Sequence, residues 1–174
     1  MKTLKLGREI LFSSDRIASR VLEMAQAIDS DTPEGGSISV LALLDGAFMF
    51  CADLVRHLPG PVHLAMIPVR SVARGGDPSR IDLPDDFPVA GADLLIVEDI
   101  LDTGRTLDRL IRHLQALEPR TLRLAVLLNK PSRREVEVLP DYTGFEVPDR
   151  WVVGYGLDDA GLYRNLPYIT TLDD

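Results

Sequence analysis

Three runs of strand length, Ile38–Leu44, 94–97 and 121–128, are apolar almost without interruption, and after the first two the apolar positions change to a helical period. A strand that is apolar on both faces must be covered on both, and strands separated by helices pair in parallel. The pattern therefore predicts an α/β architecture, a central and mainly parallel sheet flanked by helices. The helical signals agree. Ile17, Val21, Met24 and Ile28 recur at spacings of four, three and four and predict a helix over 14–29. Phe48, Cys51, Ala52, Val55 and Leu58 form the stripe of a second helix ended by Pro59 and Gly60, and Leu107, Leu110, Ile111, Leu114 and Leu117 mark a third. Residues 62–69 and 151–157 read as further strands, and the stretch between 128 and 151 is rich in Pro and charge. Residues 70–89, polar with two Gly and three Pro, are too long for a tight connection and are expected to act as a mobile lid.

Composition narrows the class. A chain of 174 residues with 45% hydrophobic content can bury one substantial core, so a single domain over 1–174 is expected. Lys and Arg number 19 against 27 Asp and Glu, a formal charge of -8 that disfavours a nucleic-acid partner. The one cysteine, Cys51, excludes an internal disulfide and a multi-cysteine metal site, which fits a reducing cytoplasm. Lys2, Lys5, Arg8 and Glu9 break up the amino end, leaving no apolar secretory signal. The most apolar region, 40–55, is interrupted by Asp45 and Asp53 and falls short of a membrane span. His57, His63 and His113 have no ligand spacing on a common helix face, and no G-x-G-x-x-G follows the first apolar strand, so a histidine metal centre and a dinucleotide site are both disfavoured.

In parallel α/β sheets ligands bind beyond the carboxyl ends of the strands. There the run Leu94-Leu95-Ile96-Val97-Glu98-Asp99-Ile100-Leu101-Asp102-Thr103-Gly104-Arg105-Thr106 places two acids and then a turn that opens a helix. Main-chain N–H groups of the 102–106 turn, aided by the positive end of the helix dipole, form an anion cradle suited to a phosphate monoester. Thr103 and Thr106 add hydroxyl donors, and Gly104 permits close approach or a positive φ. Glu98 and Asp99 repel phosphate but suit sugar hydroxyls and a hard cation such as Mg²⁺. Sugar and phosphate together point to a phosphorylated ribose.

This run resembles the phosphoribosyl pyrophosphate signature of the type I phosphoribosyltransferases. Leu127-Leu128-Asn129-Lys130, the run Asp141-Tyr142-Thr143-Gly144-Phe145-Glu146-Val147-Pro148-Asp149, then Trp151-Val152-Val153-Gly154-Tyr155-Gly156-Leu157-Asp158, and finally Tyr163-Arg164-Asn165-Leu166-Pro167, are similar in order to the hypoxanthine-guanine branch of that family. The resemblance covers roughly residues 41–172. It implies the type I fold, with a lid at about 70–89 and a small purine-binding hood from about 129–174 that includes an amino-terminal contribution. It also implies transfer of a 5-phosphoribosyl group from phosphoribosyl pyrophosphate to a 6-oxopurine, with Mg²⁺, in a homodimer or homotetramer.

By position in the matching motifs, Asp102 is implied as the general base that accepts the purine proton. Glu98, Asp99, Asp102, Thr103, Gly104, Arg105 and Thr106 are implied to hold the ribose phosphate, and Glu98, Asp99 and Asp158 to meet the metal. Leu44, Asp45, Gly46 and Arg164 correspond to the pyrophosphate subsite, and Lys130, Trp151, Val152 and Asp158 to the purine subsite. Two positions depart from the family pattern. Asp45 stands where the family usually has Lys in Leu-Lys-Gly, and Ser71-Val72 in the lid stands where it commonly has Ser-Tyr. An acid beside pyrophosphate and a missing lid phenol predict altered pyrophosphate handling and looser closure. They leave open a second reading, a regulatory protein that binds phosphoribosyl pyrophosphate or nucleotide without efficient transfer.

Overall fold

The computed structural model describes residues 5–68, 81 and 83–173; Ser71 and Val72, with Arg70, Arg74 and Arg80, lie outside them. The elements in order are β1 (Lys5–Phe12), α1 (Ser14–Ser30), β2 (Ile38–Leu44), α2 (Phe48–Val55), β3 (Val62–Pro68), β4 (Asp93–Leu101), α3 (Arg105–Gln115), β5 (Thr121–Asn129), a short 3-10 turn (Pro131–Arg133), β6 (Tyr142–Glu146), β7 (Val152–Val153) and β8 (Ile169–Asp173). Five strands form a parallel sheet in the order β3-β2-β4-β5-β6. The strands β1-β8-β7 form a separate antiparallel sheet.

The apolar runs of the sequence are buried because each serves two cores. Val40, Ala42, Leu95, Val97, Ala125 and Leu127 point to one face, where Ile17, Val21, Met24 and Ile28 of α1 and Phe50, Cys51 and Leu54 of α2 cover them. Leu41, Leu43, Leu94, Ile96, Leu124 and Val126 point to the other, under Leu107, Leu110 and Leu114 of α3. This is the alternation a pleated strand imposes, satisfied on both sides by helices. Cys51 sits in the first core as a small apolar residue, and burial pushes its thiol up to about 12. No helix of the described residues is long and apolar enough to cross a membrane.

Several elements differ from the sequence expectation. The helix α2 ends at Val55, with Leu58 beyond it and Ala52 on the exposed side, so the buried stripe runs through Phe50, Cys51 and Leu54. Within 151–157 only Val152–Val153 is strand, because Gly154, Tyr155 and Gly156 all take positive φ and turn the chain back. The Pro-rich and charged stretch contains a fifth parallel strand, β6.

The chain leaves β2 toward the edge strand β3 and returns on the other side of β2 to form β4. The carboxyl ends of β2 and β4 therefore flank the switch point of the sheet, where a crevice opens. The topology thus brings the Leu44-Asp45-Gly46 turn and the Glu98-Asp99 pair together.

Candidate active site

Two cavities meet at that crevice. One, of about 220 Å³, is lined by Glu98, Asp99, Asp102, Thr103, Gly104 and Thr106, with Ile100, Leu101 and Leu107. The other, of about 180 Å³, is lined by Asp99, Ile100, Asp102, Lys130, Trp151, Val152, Leu157 and Asp158. They share Asp99, Ile100 and Asp102, so the two carboxylates stand between the first cavity, the cradle, and the second, the slot. A larger cleft of about 360 Å³, lined in part by Ile28, Pro33, Leu58 and Pro61, lies at the amino end of β2, away from this crevice.

Asp102, Thr103, Gly104 and Thr106 line the first cavity at the amino end of α3. Gly104 caps α3 at φ 83, a left-handed conformation that lets the chain turn sharply into the helix. The first N–H groups of a helix have no partner within it and face outward for an anion. The Thr103 hydroxyl lies 3.5 Å from the N–H of Arg105. The Arg105 guanidinium departs from expectation: it pairs with Glu135 at 2.5 Å and does not line the cradle, leaving residue 105 only its main chain to offer.

The acidic pair lies within the carboxyl-terminal half of β4. Glu98 is buried and accepts from the Asp99 N–H at 3.1 Å, while Asp99 Oδ1 accepts from Ile100 N–H at 2.8 Å. Burial, and then the neighbouring Asp99 charge, push the Glu98 carboxyl well above the usual carboxylate range. A cation placed beside the pair would favour the ionised form of Glu98.

The β2 turn packs against this pair. The Leu44–Asp45 peptide is cis, and an added Cβ at Gly46 would fall 1.6 Å from Asp99 Oδ2. At Gly156, with φ 100, an added Cβ would fall 2.2 Å from the Gly46 carbonyl oxygen. Glycine at 46 lets the β2 turn approach Asp99, and glycine at 156 lets its own turn approach the β2 turn.

Arg164 reaches into the same region, where Nη2 lies 2.8 Å from Asp158 and 3.9 Å from Asp45 while Nη1 donates to the Gly156 carbonyl at 2.6 Å. The reversed charge at position 45 is thus met by the arginine expected to hold pyrophosphate. On the slot side, Lys130 is buried at the carboxyl end of β5, and its ammonium donates to the Arg150 carbonyl at 2.8 Å. Trp151 is 59% exposed, an indole at the mouth of the slot rather than part of the core. Val152 is buried and lines the slot from β7.

Residues 7–160 match the phosphoribosyl transferase domain family. The chain belongs to the phosphoribosyltransferase family. It is 41% identical over 167 residues to the hypoxanthine phosphoribosyltransferase of Salmonella typhimurium, covering 92% of this chain and 93% of that one. It is 38% identical over 169 residues to the hypoxanthine-guanine phosphoribosyltransferase of Aquifex aeolicus, covering 95% of each. A crystal structure of a hypoxanthine-guanine phosphoribosyltransferase from Bacillus anthracis superposes with a TM-score of 0.87 at 36% identity, covering 98% of this chain and 100% of that one.

Within this phosphoribosyltransferase fold two residues at the site are not legible in the sequence. Arg133 Nε donates to Asp102 Oδ1 at 3.2 Å, and Arg134 Nη1 donates to the Asp102 carbonyl at 3.0 Å. Neither is signalled by spacing, since their partner lies about thirty residues back along the chain. Only the run of two arginines directly after Lys130 and its turn could have drawn attention to them.

Proposed function

We propose that this protein transfers the 5-phosphoribosyl group of phosphoribosyl pyrophosphate to hypoxanthine, guanine or both, a step of purine salvage. The observation that carries the reading is the pair of cavities meeting at Asp99 and Asp102. A reaction at an anomeric carbon needs a sugar-phosphate grip on one side and a base slot on the other, held in contact geometry. The main chain of 102–106 and the Thr103 and Thr106 hydroxyls hold the 5-phosphate, and Glu98 and Asp99 hold the ribose hydroxyls. The base lies in the slot, with the Trp151 indole on its face and Lys130 donating to its 6-oxo group. Val152 meets it through the main chain. A donor at that edge selects an oxo over an amino purine.

As the purine ring nitrogen bonds to the anomeric carbon, the bond from that carbon to the pyrophosphate oxygen breaks. Asp102 accepts the proton that leaves the purine, acting as general base. The amides of the Leu44–Gly46 turn and the Arg164 guanidinium receive the departing pyrophosphate, a planar fork suited to phosphate oxygens. Asp45 then acts as a competitor for Arg164.

Among the described residues no three acidic, histidine or cysteine side chains converge as a metal cage. That fits Mg²⁺, which proteins commonly hold through one or two carboxylates together with substrate phosphates and water. Glu98 and Asp99 would hold it, and bound there it would offset the negative charge of the pyrophosphate, while Asp158, the third acid the resemblance implies, is paired with Arg164 at 2.8 Å. The reading places the protein in the cytoplasm as one domain and a homo-oligomer, with Ser71 and Val72 in the lid.

The test is transfer itself. Purified protein with Mg²⁺, phosphoribosyl pyrophosphate and either hypoxanthine, guanine or xanthine is expected to release pyrophosphate and nucleoside monophosphate in equal amounts with at least one of the first two. Tight binding of phosphoribosyl pyrophosphate with no nucleotide from any base would replace this reading with the regulatory one.

A further inference from the structure

The segment that follows β5 lies along the cradle as a brace. Arg133 and Arg134 grip Asp102 by its carboxylate and its main-chain carbonyl, respectively. Arg134 is itself fixed by Nη2 donating to Asn129 Oδ1 at 2.5 Å. Glu135 N–H donates to the Thr103 carbonyl at 3.0 Å, and its carboxylate holds Arg105. An added Cβ on Gly104 would fall 3.1 Å from Val136 Cγ2, so the brace touches the turn directly. Arg133 also extends the other way, with Nη1 3.7 Å from Asp149 in the loop that leads to Trp151. Lys130 holds the carbonyl of Arg150 in that same loop.

An aspartate has a short side chain whose terminal torsion is soft, so a carboxylate in an open crevice samples many orientations. Proton acceptance needs one oxygen aimed at the base. A guanidinium on Oδ1 restrains the rotor of a carboxylate whose residue lines both the cradle and the slot. The side chains of Arg133 and Asp102 are 47% and 41% exposed, a setting in which an ion pair adds little to stability. The contact is better suited to orientation than to holding the fold.

We propose that Arg133 is a positioning residue that aims the Asp102 carboxylate for proton acceptance, with Asp149 as its second anchor. The proposal rests on the reading of Asp102 as general base, and a double-mutant cycle separates the two. Asp102→Asn is expected to lower kcat by about 10²–10⁴-fold, the range of a lost general base. Arg133→Ala is expected to lower kcat about tenfold through misaim, while KM for both substrates stays within about twofold, since the step lost is one made only in the transition state. In the Asp102→Asn background, Arg133→Ala is expected to have no further effect on kcat. Thermal unfolding of Arg133→Ala is expected to match the parent.

An equal loss from Arg133→Ala in both backgrounds would overturn the proposal and leave the role of Asp102 standing. So would a change confined to KM, or a drop in thermal midpoint that accounts for the loss. Full turnover in Asp102→Asn alone would remove the general-base reading, and the positioning role with it.

Discussion

The turn ending β2 and the acid near the end of β4 are packed so closely that Gly46→Ala becomes a displacement experiment. The added methyl would lie 1.6 Å from Asp99 Oδ2 and 2.4 Å from its Cγ. Favourable non-bonded contact begins near 3.5 Å, so the carboxylate must retreat by about 2 Å. The obstructing atoms are the end of a side chain rather than backbone, so the retreat is a rotation of Asp99 and the fold survives. Rotation gives up the 2.8 Å hydrogen bond from Ile100 N–H to Asp99 Oδ1. At a half-buried site water replaces part of that bond, and the net cost is about 1 kcal/mol. For a domain of this size the thermal midpoint then falls by about 2–4 °C. The functional cost is much larger. Misplacement of a positioning group by an ångström or more costs about 10²-fold, so kcat/KM for phosphoribosyl pyrophosphate should fall by about that factor. Steady-state rates with phosphoribosyl pyrophosphate varied at saturating base, alongside thermal unfolding, read both quantities. A folded Gly46→Ala protein with parental kcat/KM would refute the claim that Asp99 grips the substrate from this position.

Trp151→Ala is expected to leave stability nearly unchanged, because the indole is mostly exposed. It should weaken base binding by about 10- to 100-fold in KM, the scale of a lost base–aromatic stack, and an unchanged KM would place the base elsewhere. Asp45→Asn removes an acid from beside Arg164 and is expected to lower KM for phosphoribosyl pyrophosphate by up to about fivefold, the scale of an exposed ion pair; a higher KM would show that Asp45 assists binding. At the far end of β4, Asp93 is buried and held by Arg120 and by the Thr121 hydroxyl at 2.8 Å. The hydrogen bond from Arg120 holds the Asp93 carboxyl below the usual range. Its stabilisation is therefore complete above about pH 4 and is lost as pH falls through the depressed value. Arg120→Ala should lower the thermal midpoint most at neutral pH, with a deficit that narrows below about pH 4 in a melting series; a deficit independent of pH would deny the linkage.

Local pattern reached the parallel sheet, its two helical layers and the turn that opens α3 because each is written in neighbouring residues. Val40 to Leu43 and Leu94 to Val97 are apolar in unbroken runs, and the turn from Asp102 to Thr106 carries its own chemistry in five consecutive residues. It did not reach β1, where Ile10 is 52% exposed, register shifts interrupt the pairing, and the partner strand β8 lies at the other end of the chain. Nor did it reach β6, an edge strand buried only at Tyr142 and Gly144 and bordered by prolines and charges. The grip of Arg133 and Arg134 on Asp102, and of Asp45 on Arg164, joins segments distant in sequence, and local pattern holds no record of such pairings. Trp151 was the reverse case, a motif position whose role depended on exposure: an only tryptophan is as compatible with a core as with a stacking platform until its surroundings are known.

The most direct measurement is a crystal structure of the protein with inosine monophosphate. The account predicts the 5-phosphate against the main chain of residues 103–106, the ribose hydroxyls against Glu98 and Asp99, and the base between Trp151 and Lys130. A nucleotide seated in the cleft at the amino end of β2, or a phosphate anywhere but on the 102–106 turn, would contradict it.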